Sequence, residues 1–171
     1  TYGMTETLSH IALRRLNGVD ASDWYTPFDN VRIRLSEEGT LIIHAPNVCA
    51  EELITNDIAE INEKGKFRIL GRKDNTINSG GVKIQIEQVE AALKAHLDIP
   101  FQITARKDAK FGEIVVLIYN KVGNEDDIRR VCESELPTYW VPKAYIAVDE
   151  LPMTGTGKPD RASARRIANG E

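Results

Sequence analysis

The chain has 171 residues, 42% of them hydrophobic and 28% charged, with a net charge of −4. That is room for one ordinary domain or two small ones, in the composition of a soluble globular protein. Acidic and basic residues are intermixed, leaving no basic stripe for a nucleic acid, and no apolar run approaches the ~20 residues of a membrane span.

Residues 1–30 hold Tyr2-Gly3-Met4-Thr5-Glu6 and then a helix-or-loop stretch that ends in turn signals around Pro27. Asn30 to Leu35 alternates with period two and predicts a half-buried strand. Glu37-Glu38-Gly39 marks a hairpin turn, and Thr40 to His44 returns as a second strand closed by Pro46-Asn47. After a turn at Glu63 to Lys66 comes a strand at Phe67 to Leu70. Residues 1–70 therefore read as a small antiparallel β unit.

Asn75 to Lys83 is polar, carries Gly80-Gly81 and reads as a loop. Ile86, Val89, Leu93 and Leu97 fall at helical spacing ahead of Pro100. Strands are expected at Phe101 to Arg106 and Glu113 to Asn120, with Phe111-Gly112 in the turn. Asn124 is a good N-cap for a helix that runs to about Leu136 and stops at Pro137. A strand at Tyr145 to Val148, the Gly155–Gly157 loop and a helix from about Asp160 to Ala168 complete the chain. The class is α+β, a small antiparallel β unit followed by an α+β domain over residues 75–171. Cys49 and Cys132, few and far apart, read as reduced cysteines of a cytoplasmic protein. No signal peptide is visible.

Several catalytic patterns are excluded. Gly157-Lys158 is no P-loop, because Pro152 and Pro159 occupy the positions of its first glycine and its hydroxyl residue. No third glycine follows Gly155 and Gly157 at dinucleotide-binding spacing, and no Gly-x-Ser-x-Gly elbow occurs. His10, His44 and His96 lack metal-ligand spacing to one another or to cysteine.

Three segments carry a resemblance. They are Tyr2-Gly3-Met4-Thr5-Glu6, Gly71-Arg72-Lys73-Asp74, and Pro152-Met153-Thr154-Gly155-Thr156-Gly157-Lys158 closing with Arg161. In this order they resemble the later nucleotide-contacting motifs of the acyl-adenylate-forming enzymes, which include acyl-CoA synthetases, luciferases and peptide-synthetase adenylation domains. Such enzymes bring a carboxylate against the α-phosphate of ATP, negative charge against negative charge. The site therefore needs a metal, a cation and fixed dipoles, with acceptors for the ribose hydroxyls.

The resemblance implies roles. Tyr2 would stack on adenine, Gly3 would let the backbone approach the ligand, Thr5 would bind phosphate, and Glu6 would help hold Mg²⁺. Asp57 and Arg72 would bind the ribose, although Asn56 stands where the family has Gly. Asp74 would be the hinge. Gly80, Gly81 and Lys83 would belong to a loop lining the tunnel for CoA, the co-substrate. Ile86 and Gln88 replace a Pro and an acidic residue common in the family. Lys158 would bridge the carboxylate and the phosphate. Read without the resemblance, Thr5 is a helix cap, Glu6 its first-turn acid and Lys158 a solvated turn lysine.

The implied organisation is the end of the large AMP-binding domain over 1–70, a hinge at 71–74 and a C-terminal lid over 75–171. The expected activity is ATP-dependent acid–thiol ligation through an acyl-adenylate. The partners are a small-molecule carboxylate, ATP, CoA and the missing N-terminal part of the same enzyme, with no nucleic acid and no membrane span. Alone, the piece is expected neither to turn over nor to bind ATP tightly. Its oligomeric state stays open, a homo-oligomer included.

Thr5 to Ala12, Gly71 to Asn75, Ser79-Gly80-Gly81 and Ile84-Gln85 most resemble the o-succinylbenzoate–CoA ligases of menaquinone biosynthesis. Ser9 and His10 are left open between facing a dicarboxylate and a structural role. The alternatives are another acyl- or aryl-CoA synthetase, a carrier-loading adenylation enzyme, or a non-catalytic binding module derived from the lid.

Overall fold

Alternation sets the strand pairing in the first part of the chain. In β4 (Arg32–Leu35) both arginines are exposed while Ile33 turns towards the core. Its antiparallel partner β5 (Thr40–His44) sets Ile43 opposite Ile33. Ser36 holds the turn between them, its Oγ 2.8 Å from Thr40 Oγ1 and accepting from the Glu38 amide. β6 (Leu53–Ile61) and β7 (Phe67–Arg72) complete a four-stranded antiparallel sheet in the order β4-β5-β6-β7. A second sheet joins β1 (Tyr2–Gly3), β2 (His10–Leu13) and β3 (Thr26–Pro27). Ile11, Ala12, Leu41, Ile43, Ala59 and Phe67 form the buried core that both sheets share.

The structure, a computed structural model, describes residues 1–171. It separates into two compact units, Thr1–Asp74 and Asn75–Glu171.

The second unit is built on β11 (Gly112–Asn120), whose central residues are apolar without alternation. A strand covered on both faces requires this. Ile114, Val116 and Ile118 face one core, which includes Ala164 and Ala168 of α3 (Arg161–Asn169). Val115, Leu117 and Tyr119 face another, filled by Val89 and Leu93 of α1 (Ile86–Lys94) and by Ile128 and Cys132 of α2 (Glu125–Glu135). The sheet between these layers runs β10-β11-β8-β9, from β10 (Phe101–Asp108), β8 (Thr76–Ser79) and β9 (Val82–Gln85). β12 (Ala144–Val148) lies parallel to β11, and α2 makes the crossover. The α+β class holds, and no helix is long and apolar enough to cross a membrane.

Caps set the helix starts. Asn124 accepts from the Asp126 and Asp127 amides, and Asp160 accepts from the Ser163 amide. A bidentate ion pair joins α3 to α1, with Arg161 donating to the Glu90 carboxylate at 2.6 and 2.7 Å. Glu90 also accepts from the Ile103 amide at 2.9 Å, which ties in β10.

Three segments differ from expectation. Residues 1–30, read as helix or loop beyond the first motif, also supply three short strands, because β1 and β3 both pair with β2. β6 was not anticipated, since its polar residues break up the apolar pattern. The stretch read as a loop at 75–83 is mostly a hairpin, in which β8 pairs with β9 and buries Ile77 and Ile84. Gly80 and Gly81 form its two-residue turn with φ of +59° and +86°. Side chains resist that pair of conformations, and it matches the twist of a tight hairpin.

Candidate functional site

Residues distant in sequence meet at one cleft of the first unit because β6 and β7 are adjacent. Asp57 and Arg72 are register partners on these strands. β1 and the turn Thr5–Thr7 close the side of the cleft, which has a volume of 340 Å³. Gly3, Glu6, Thr55, Asn56, Asp57 and Arg72 are among its lining residues. Tyr2 reaches Asp57 directly, its hydroxyl donating to Oδ2 at 2.6 Å. Arg72 lies 3.9 Å from Asp57 Oδ1 and 3.6 Å from Asp74 Oδ2. Its guanidinium thus stands between a cleft carboxylate and the carboxylate of the turn Lys73–Asn75. Lys73 ties that turn to Glu38 at 2.7 Å.

The cleft is polar at its rim and aromatic behind. The Tyr2 ring meets Phe67 edge-on, with centroids 5.1 Å apart, and lies 5.7 Å from Tyr25. Burial, then the hydrogen bond to Asp57, pushes the Tyr2 pKa well above the usual phenol range. The phenol therefore stays protonated and remains a donor to Asp57.

The reason for Gly3 differs from the one read from the sequence, which was backbone approach to a ligand. A Cβ at Gly3 would lie 2.5 Å from the Ser9 carbonyl oxygen and 2.9 Å from His10 Cα. The glycine is demanded by the close passage of β2. Thr5 is outside the cleft lining and borders a neighbouring depression with Ser9 and His10. Glu6 is exposed at the cleft, and no group of three or more acidic, His or Cys side chains gathers there or elsewhere. A lone carboxylate suits Mg²⁺, which keeps waters and takes substrate phosphates as its other ligands.

The remaining candidates belong to the second unit. Gly80 and Gly81 form the hairpin tip, which is tied down where the Gly80 amide donates to the Phe111 carbonyl at 2.8 Å. Lys83 is exposed on β9. Lys158 sits on a turn closed by two hydrogen bonds. The Thr154 amide donates to the Lys158 carbonyl at 2.7 Å, and the Lys158 amide donates to Thr154 Oγ1 at 3.1 Å. The Lys158 side chain is exposed and carries no ion pair, while Asp160 and Arg161 anchor the chain just after it.

Two supporting residues escaped the sequence reading. Thr7 is fully buried, accepting from the Met4 amide at 3.1 Å and donating to the Ser9 carbonyl at 2.7 Å. It locks the turn that presents Thr5 and Glu6. Gln102, 2% exposed, donates to the Pro152 carbonyl at 2.8 Å and holds the start of the Lys158 loop. β10 carries Thr104, Arg106, Lys107 and Asp108 besides Gln102, so nothing in the sequence singled Gln102 out. Thr7 had no signal beyond its place two residues after Thr5.

Comparison with known proteins gives the following. Residues 88–158 match the family described as AMP-binding enzyme C-terminal domain. The chain is 31% identical over 112 residues to a linear gramicidin synthase of Brevibacillus parabrevis, covering 63% of this chain and 1% of that protein. It is 29% identical to a 2-succinylbenzoate–CoA ligase of Bacillus cereus, covering 98% of this chain and 41% of that enzyme. The chain thus spans less than half the length of these curated relatives. The structure of O-succinylbenzoate coenzyme A synthetase (MenE) from Bacillus subtilis, in complex with ATP and magnesium ion, superposes with a TM-score of 0.77 at 22% identity. That match covers 94% of this chain and 40% of the other.

Proposed function

We propose that this chain, whose residues 88–158 match the AMP-binding enzyme C-terminal domain, is part of an ATP-dependent carboxylate–CoA ligase. The reaction is acyl-adenylate formation followed by thioester formation. The observation that carries this reading is the cleft of the first unit. There Gly3, Glu6, Asp57 and Arg72, from three separate stretches of sequence, line one 340 Å³ space.

The cleft receives the nucleotide. Asp57 offers acceptors to a vicinal diol, since each carboxylate oxygen has two lone-pair sites. Arg72 supplies positive charge beside it, and the half-buried Tyr2 ring would be the stacking surface for adenine. Thr5 meets phosphate and Glu6 would hold Mg²⁺. When bound, that ion supplies Lewis-acid neutralisation of phosphate charge.

Lys158 spans the acyl carboxylate and the α-phosphate during adenylation. An ammonium on a flexible stem suits that task, and having no ion-pair partner it loses none on binding. After adenylation the lid of residues 75–171 rotates about the hinge at 71–74, with Asp74 absorbing the change. Gly80, Gly81 and Lys83 then line the path of the CoA pantetheine arm.

The acyl substrate we assign is o-succinylbenzoate, in a cytoplasmic menaquinone pathway. The near-complete coverage of this chain by the Bacillus cereus ligase supports it. The gramicidin synthase likeness favours a second reading, a carrier-loading adenylation enzyme. Carboxylate-dependent ATP–pyrophosphate exchange by the full-length enzyme, across a panel of acids, tests the assignment. Exchange with o-succinylbenzoate and acyl transfer to free CoA is expected. Exchange with an amino acid and transfer only to a phosphopantetheinyl protein would replace it by the second reading.

A further inference from the structure

The carboxylate of Asp57 is held before any ligand arrives. Its side chain is only 18% exposed, with Tyr2 bonded to one oxygen at 2.6 Å and Arg72 beside the other at 3.9 Å. The second distance is charge attraction, not a hydrogen bond. Tyr2 therefore makes the directional contact.

Tyr2 can give direction because its own ring is fixed. It lies edge-on against Phe67, which is fully buried, and tilted 58° against Tyr25. The Tyr25 amide and carbonyl both bond to Phe67 backbone, so the three rings share one rigid support. The Asp57 amide also donates to Thr55 Oγ1 at 3.1 Å, which steadies the strand at this point. Burial raises the Tyr2 pKa, so the donor does not ionise beside the carboxylate.

An aspartate free to turn about its side-chain bonds would lose that freedom on binding a ligand, at a cost in affinity. We propose that Tyr2 is a positioning residue whose hydroxyl fixes the rotamer of Asp57, so that the remaining lone pairs meet both hydroxyls of a ribonucleotide. One oxygen keeps a lone-pair site after accepting from Tyr2, and the other keeps two, enough for a vicinal diol. The proposal rests on the reading of Asp57 as the ribose acceptor. It gives the Tyr2 hydroxyl a task separate from any stacking by its ring.

The test uses the full-length enzyme with Tyr2→Phe and, separately, Asp57→Ala. Tyr2→Phe keeps the ring packed against Phe67 and Tyr25 and removes one hydrogen bond. KM and kcat are measured with ATP, 2′-deoxy-ATP and 3′-deoxy-ATP, together with the unfolding midpoint. Tyr2→Phe is expected to raise KM for ATP about tenfold with kcat within about twofold, the scale of one hydrogen bond to a charged group. Because KM for the deoxy analogues rises much less, discrimination against them falls by nearly the same factor. A lowered midpoint with unchanged discrimination would overturn the proposal, leaving Tyr2 as packing alone. If Asp57→Ala leaves discrimination intact, the ribose reading itself fails and takes the proposal with it. Loss of discrimination in Asp57→Ala but not in Tyr2→Phe overturns the positioning role and keeps the ribose reading.

Discussion

Replacing Arg161 with methionine keeps much of the apolar stem, removes the charge, and is expected to destabilise the second unit by about 2 kcal/mol. Removing one partner of a fully buried pair costs roughly 3–5 kcal/mol, whereas an exposed pair contributes about 0.2–1 kcal/mol. The Arg161 and Glu90 side chains are 25% and 21% exposed, so water rehydrates part of the stranded carboxylate and the cost falls between those limits. Glu90 cannot simply turn away, because that would also strand the Ile103 amide. For a unit of roughly a hundred residues, ~2 kcal/mol corresponds to a fall in Tm of about 8–16 °C. Amide hydrogen exchange in α3 and β10 measures it, since the slowest amides report unfolding of this unit. Glu90→Gln combined with Arg161→Met leaves no stranded charge and keeps an acceptor for Ile103. The double variant should be more stable than Arg161→Met alone. A loss below about 0.5 kcal/mol in the single variant, or a double variant at the sum of the two singles, would refute the reasoning.

Gly3→Ala forces a Cβ into the Ser9 carbonyl and should destabilise the first unit by about 1–3 kcal/mol in urea unfolding, as overpacking does. Asp160→Asn probes pH. The hydrogen bonds from Ser163 hold the Asp160 carboxyl below the usual range. Its contribution is therefore present above the unfolded value near about pH 4 and is lost as pH falls through the folded value. Asparagine caps as well as aspartate. The variant should thus keep stability at neutral pH and lose this part of the decline below about pH 4. Identical pH–stability curves for the two proteins would contradict the sign.

Much of the second unit was legible in its sequence, and the reasons are local. The period of Ile86, Val89 and Leu93 and the cap at Asn124 are properties of single helices. β11 stood out as an apolar run because both of its faces are covered. The first unit was harder. β6 buries Thr55 and Ala59, a polar and a small residue, so only its neighbours β5 and β7 reveal it as a strand. Gly80-Gly81 between two short alternating runs was a hairpin signal that the surrounding polarity hid. Motif reading named Gly3, Glu6, Asp57 and Arg72, which the fold brings to one cleft, but it gave Gly3 the wrong reason, since the packing of β2 and not a ligand demands that glycine. It did not find the Tyr2–Asp57 bond, which depends on β1 and β6 coming together across 55 positions of sequence.

The central claim, that Lys158 serves adenylation in a two-step ligase, is tested most directly by measuring the two half-reactions separately in the full-length enzyme. Lys158→Ala should slow acyl-adenylate formation by a factor on the order of a hundred or more, as loss of a transition-state charge partner does. Thioester formation from supplied acyl-adenylate and CoA should be much less affected. Equal loss in both half-reactions, or no loss in either, would contradict the account.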